Sequence, residues 1–227
     1  MFIMLDGIDG SGKSVQTKLL IKRLKKTGHK VALISFPQYG QKSAGPIEEY
    51  LNGIYGSAQE VGPYRASVLY AVDRFAAANK IRTWLKQGKI VVANRYVASN
   101  MGHQGGKIKN AAARKKFFLW NDNLEYKIFG IPRPNLNIIL HVTPKIAQQL
   151  VDKKGAREYL KGVKRDIHEA DIKHLANAER TYLEIAKLFS KYKLVECVAK
   201  NQILPIKTIH EKIWKIVTSG LKAKKVI

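Results

Sequence analysis

The sequence predicts an α/β fold: a parallel five-stranded sheet flanked by helices. Three observations support this. The apolar runs are short and do not alternate with polar residues, as strands buried on both faces do not. Helical stretches with one apolar face separate them. A glycine-rich phosphate-loop pattern falls between the first strand and the first helix, the place where this fold binds anions.

The elements follow in order. Phe2–Asp6 reads as a buried strand and Lys13–Thr27 as a helix, which Gly28 ends where a left-handed residue is needed. Lys30–Phe36 is a second strand, broken by Pro37. After a Gly-rich stretch, Tyr64–Gln87 is a long helix stopped by Gly88, and Lys89–Arg95 is the third strand. Ala111–Phe129 is helical, Asn137–Val142 is the fourth strand and Val195–Val198 the fifth. Between the last two, Leu175, Ala178, Tyr182, Ile185 and Phe189 repeat at spacings of three and four, one stripe of a helix of about 20 residues. Leu204–Leu221 closes the chain as a helix. No proline- or serine-rich linker divides the sequence, so 1–227 is expected to be one domain. Ligands of such sheets bind beyond the carboxyl ends of the strands. The loops after Asp6, Phe36 and Ala93 should therefore meet.

Length and composition narrow the function classes. With 227 residues and 45% hydrophobic content, the chain can bury one sizeable core. No apolar run approaches the ~20 residues that cross a bilayer. Phe2–Leu5 is too short for a signal peptide. The single cysteine, Cys197, cannot form an internal disulfide, and a reducing cytoplasm is expected. The net charge of +24 far exceeds what one nucleotide site needs. The charges are scattered in sequence and lack interleaved aromatics or a nucleic-acid motif. A Lys-rich solvated surface is therefore favoured over a specific nucleic-acid or membrane partner, and non-specific polyanion binding is left open.

Gly7-Ile8-Asp9-Gly10-Ser11-Gly12-Lys13-Ser14 matches the P-loop in full. Its glycines let backbone N–H groups turn onto phosphate oxygens, and the helix N-terminus adds favourable partial charge. Lys13 reaches the β- and γ-phosphates of ATP, and the Ser14 hydroxyl suits Mg²⁺. Asp9 has to point away from polyphosphate, toward metal, water or a second substrate; the alternative is a helix-start carboxylate favoured by the dipole.

Further motifs accompany the loop: Phe36-Pro37-x-Tyr39, Leu69-Tyr70-x-x-Asp73-Arg74, Arg95-Tyr96-Val97-Ala98-Ser99-Asn100, and Asp166-x-x-Glu169 ahead of a long helix. In this order the set resembles the thymidylate kinase family, from about Phe2 to about Phe189. The resemblance implies γ-phosphoryl transfer from ATP to dTMP with Mg²⁺, a mobile lid at about 153–166, and a homodimer. It implies dTMP contacts at Asp9, Phe36, Tyr39, Tyr70, Arg74, Arg95, Ser99, Asn100, His103 and Gln104. Tyr70 would stack on the base, though its place on a helix also suits a core residue. Arg74 would contact the base, or else is a surface charge. Arg95 would grip the acceptor phosphate with its bidentate fork. Asn100 and Gln104 would face the base, or else are ordinary loop residues.

Lys153, Lys154, Arg157, Lys161, Lys164 and Arg165 would supply lid cations, with Arg157 and Arg165 the expected catalytic pair beside Lys13, Arg95 and Asp9. Glu169 would face the metal with Ser14 and Asp9, or else is an exposed helix carboxylate. Three departures stand out. Asn94 replaces the family's usual Asp, leaving a contact to metal through water at most. Gln38 and Tyr39 stand where an arginine is common nearby, and His103 stands in place of a tyrosine close to the sugar.

Phosphorylating a hydroxyl needs a general base, whereas an ionised phosphate acceptor needs cations. Arg74 and Arg95 beside Asn94 favour a nucleotide acceptor. A kinase of another nucleoside monophosphate or of a deoxynucleoside is the alternative enzyme. A non-catalytic P-loop protein that binds nucleotide or polyanion is the alternative of another class.

Overall fold

The computed structural model describes residues 1–152 and 172–223. The chain runs through β1 (Phe2–Asp6), α1 (Lys13–Lys26), β2 (Val31–Ser35) and a 3₁₀ turn at Lys42–Ala44 that enters α2 (Gly45–Leu51). α3 (Ala58–Lys86) leads to β3 (Ile90–Asn94), and the single turn α4 (Val97–Ser99) widens into a π-turn at Asn100–Gln104. α5 (Ala111–Asn123) likewise ends in a π-turn, Leu124–Ile128. β4 (Leu136–His141), α6 (Pro144–Asp152), α7 (Ile172–Leu188) and β5 (Tyr192–Glu196) follow. The hairpin of β6 (Val198–Ala199) and β7 (Gln202–Ile203) precedes α8 (Ile206–Ala223).

The five-stranded parallel sheet has the order β2-β3-β1-β4-β5. Every residue of β1 is buried, as are the apolar residues of β3 and β4, so the inner strands are covered on both faces. α1 and α8 pack side by side as one layer. α3, α5 and α7 form the other, joined by the Tyr64–Phe117 edge contact at 5.2 Å and the Arg114–Glu184 ion pair.

Differences from the sequence expectation are local. α3 starts earlier than Tyr64 because Ser57 and Glu60 form a capping box; the chain then kinks at Gly62 (φ 71°) ahead of Pro63. The predicted Ala111–Phe129 helix loses α-geometry after Asn123. The fifth strand lies at Tyr192–Glu196 rather than Val195–Val198. It is an edge strand in which only Val195 is buried, so hydrophobicity marks it poorly. Val198 instead pairs with Ile203 across a turn at Lys200 and Asn201, both at positive φ. Gly28 does take the expected left-handed conformation, φ 87°. Cys197 lies in the core at 0% exposure, and burial raises its thiol pKa to about 12.

Candidate active site

The P-loop begins where β1 ends. Asp6 is fully buried yet hydrogen-bonded throughout: its carboxylate accepts from the Gly7 amide (2.9 Å), the Ser99 hydroxyl (2.9 Å to each oxygen) and the Tyr182 hydroxyl (2.8 Å). One carboxylate therefore ties the loop to α4 and α7. Gly10 is at φ 84°, and a Cβ there would meet the Ala147 carbonyl oxygen at 2.2 Å, which explains why no side chain fits. Lys13 is 7% exposed; its ammonium donates to the carbonyls of Gly7 (2.9 Å) and Ile8 (2.7 Å) and stands 4.0 Å from Asp9. Helix α1 has Gly12 as its N-cap and no side-chain cap, so no side chain blocks its first amides. Ser14 is exposed at its first turn.

β3 delivers the opposing residues. Arg95 follows Asn94 at φ 67°, a conformation rare outside glycine, with its amide bonded to Leu5 O at 2.9 Å. Its Nη2 pairs with Asp9 Oδ1, and its Nη1 lies 3.0 Å from His103 Nε2. Burial disfavours the charge of Arg95, but Asp9 outweighs it and keeps the guanidinium firmly cationic. Burial, aided by Arg95, His174 and Lys13 against Asp9, holds the His103 pKa well below the ordinary 6.5. The neutral ring thus accepts from Arg95 at Nε2 and donates from Nδ1 to His174 Nε2, 3.2 Å away. The two imidazoles stack at 5.5 Å, with Tyr182 edge-on to His103 at 5.8 Å.

A second cluster lies deeper. Arg74 is 1% exposed, so it is not a surface charge; it makes a bidentate pair with fully buried Glu125, both contacts 2.6 Å. Asn100 Nδ2 donates to the same carboxylate (3.1 Å) and to Ser67 O (3.0 Å). Gln104 is 2% exposed, with Oε1 lacking a hydrogen-bond partner. Tyr70 is half-buried, edge-on to Tyr50 at 6.4 Å. Phe36 is buried against Tyr96, 5.6 Å away, while Tyr39 is exposed. Asp73 accepts from the Gln38 amide (2.9 Å) and the Ser43 hydroxyl (2.6 Å), holding the loop after β2 to α3.

The structure therefore brings Asp9, Lys13, Arg95 and His103 into one cluster and Arg74 and Asn100 into another. Arg157, Arg165, Glu169 and the expected lid lie outside the described residues. Sequence reasoning missed Asp6, Glu125, His174 and the Tyr182 hydroxyl. The available signal was a carboxylate closing an apolar strand at Asp6 and one inside a helix-like apolar stretch at Glu125.

Among described residues, no group of three or more His, Cys, Asp or Glu could hold a metal ion. The oxygen donors that fit a hard cation are Ser14 Oγ and Asn94 Oδ1, the latter buried without a partner.

Residues 5–213 match the family model described as thymidylate kinase. The thymidylate kinase of Mycobacterium tuberculosis (strain H37Rv) is 30% identical over 187 residues, covering 82% of this chain and 86% of that protein. That of Caldicellulosiruptor saccharolyticus is 29% identical over 224 residues, covering 98% of each. Among solved structures, a thymidylate kinase from Candida albicans superposes with a TM-score of 0.72 at 22% identity, over 96% of this chain and 91% of that one.

Proposed function

The chain belongs to the thymidylate kinase family of ATP-dependent nucleoside monophosphate kinases, and from that membership we propose how its own residues carry the γ-phosphoryl group of ATP to dTMP. The observation that supports this best is the contact of Arg95 with Asp9 and His103, because it sets the acceptor-side arginine directly against the phosphate loop.

The backbone amides of the loop and the start of α1 cradle the donor phosphates, and Lys13 turns its ammonium from the Gly7 and Ile8 carbonyls toward them. Arg95 holds the dTMP phosphate in line with the γ-phosphate. Positioning and charge neutralisation are most of what this reaction requires, since an ionised phosphate attacks without a general base. Asp9 and His103 fix the guanidinium plane of Arg95, so little freedom is lost when phosphate arrives. Tyr70, Arg74, Asn100 and Gln104 form the base end of the site, with Phe36, Tyr39 and Ser99 around it. Ser14, Asp9 and Glu169, the last from outside the described residues, would hold Mg²⁺, with Asn94 contributing through a water; bound there it would neutralise charge on the β- and γ-phosphates. Arg157 and Arg165 complete the cationic set in this reading.

We assign residues 1–227 to one kinase domain working in the cytoplasm. We also assign it a homodimer, supported by the exposed apolar row of Val68, Val72 and Phe75 along α3. The test of function is ADP release from ATP-Mg²⁺ with a panel of nucleosides and nucleoside monophosphates. Turnover with dTMP and far slower turnover with thymidine is expected; equal rates would overturn the phosphate-acceptor assignment.

A further inference from the structure

Part of the positive charge that looks scattered in the sequence is brought onto one face by the fold. α1 carries Lys13, Lys18, Lys22, Arg23, Lys25 and Lys26 and no carboxylate; α8 carries Lys207, Lys212, Lys215 and Lys222 against one, Glu211. These two helices are neighbours in space. Gln16 Nε2 donates to Ile206 O at 3.0 Å, Arg23 pairs with Glu211 at 2.6 Å, and the Arg23 guanidinium lies 4.4 Å over the Trp214 ring. The ties run in step, 16 with 206 and 23 with 211 and 214, so the helices lie side by side in the same direction. The one carboxylate of the face is already neutralised by Arg23.

On α1, Lys18, Lys22 and Lys25 recur at spacings of four and three and form one exposed row. Lys207, Lys215 and Lys222 recur at eight and seven and form a second. The α1 row spans about 10 Å and the α8 row about 22 Å at 1.5 Å per residue, and packed helices sit about 8–10 Å apart. We propose that the α1–α8 face is a docking surface for the phosphate backbone of double-stranded DNA.

The chemistry of the face selects this occupant. A bilayer-binding helix turns an apolar stripe to the lipid. Here Ile209, Ile213, Val217 and Leu221 are spent on the core, and the large apolar residues exposed on the two helices are confined to their N-terminal ends, Val15 and Ile206. Single strands are held by stacking on aromatic rings. The aromatic ring of these helices, Trp214, is half-buried beside Arg23. Lysines in rows, with no side chain suited to reading bases, match a regular lattice of phosphates bound without sequence preference.

The experiment is fluorescence anisotropy of a mixed-sequence DNA duplex of about two helical turns with the full chain, between about 50 and 200 mM salt. Five to six engaged lysines correspond to a slope of log K against log salt of about −5. Neutralising one row (Lys18→Gln, Lys22→Gln, Lys25→Gln) should flatten that slope by about 3 and weaken binding on the order of tenfold or more at the lowest salt. A control with the same change of charge on the other layer (Lys115→Gln, Lys116→Gln, Lys127→Gln) should bind as the unmodified chain does. Kinase turnover of both variants should be unchanged, so the result does not depend on the proposed phosphoryl transfer. Equal weakening in both variants overturns the proposal, because it would report net charge and no surface. Tighter binding to phosphatidylserine vesicles, to a single strand or to an RNA duplex overturns it as well.

Discussion

Arg95 is held in an uncommon backbone conformation with both arms of its guanidinium engaged, one on Asp9 and one on His103. Arg95→Ala should raise the KM for dTMP and lower kcat, together on the order of 10²-fold in kcat/KM, with ATP binding in the absence of dTMP little changed. Arg95→Lys should recover only part, since lysine keeps the charge and loses the fork. Separate titrations of ATP and dTMP decide it: a collapse of ATP affinity alone would move Arg95 to the donor side. The chemistry of individual residues was largely legible beforehand, because Lys13, Ser14 and Arg95 belong to short motifs whose residue types suit phosphate. Their partnerships were not. Asp9 and Arg95 are separated by 86 positions and Arg74 and Glu125 by 51, and no local pattern marks which carboxylate a distant arginine will meet. Arg74 shows the consequence: the sequence allowed a surface charge, and the fold makes it one of the largest fully buried side chains.

Among the elements, the end of α5 is tied to α3 by a fully buried ion pair. Glu125 sits in the π-turn that ends α5 and accepts from Arg74 on α3 and from Asn100 beyond β3. Glu125→Ala leaves Arg74 buried without its counter-charge, and a loss of about 3–5 kcal/mol is expected in chemical denaturation. Unchanged stability would mean that water or another acceptor replaces the carboxylate. A second junction is titratable. His141 ends β4 and lies between Glu196 of β5 (2.6 Å) and Glu179 of α7 (2.9 Å). Burial would lower its pKa, but hydrogen bonds to Glu196 and Glu179 outweigh that and raise it above 6.5. A raised folded-state pKa contributes stability that is full below about 6.5 and disappears as pH rises through the raised value. Denaturation at about pH 6 and about pH 9 should therefore show a drop that His141→Gln lacks. Inner strands announced themselves through continuous apolar runs. The edge strand β5 did not, because Lys193 and Glu196 interrupt its apolar run, and the π-turns have no sequence signature to follow.

For the molecule as a whole, the two layers differ in their exposed apolar residues. The α3 side exposes Val68, Val72 and Phe75 among lysines, whereas the α1–α8 side exposes lysines with large apolar residues only at the helix starts, Val15 and Ile206. If the apolar row joins two copies, Val72→Glu with Phe75→Glu should convert a dimer to a monomer in sedimentation velocity while the circular dichroism of the fold is kept. A monomer before substitution would dismiss that row as the interface. The +24 net charge was readable from composition alone, but its placement was not, since only the folded chain brings residues 18–26 beside 207–222. Cys197 carries a different kind of consequence. It is the chain's one thiol, it has no exposed surface, and its pKa near 12 leaves almost no thiolate at neutral pH. Maleimide dyes should therefore pass over the native protein, and a cysteine introduced at an exposed position such as Lys116 would be the sole label site, opening the molecule to single-dye fluorescence without first removing a residue from its core.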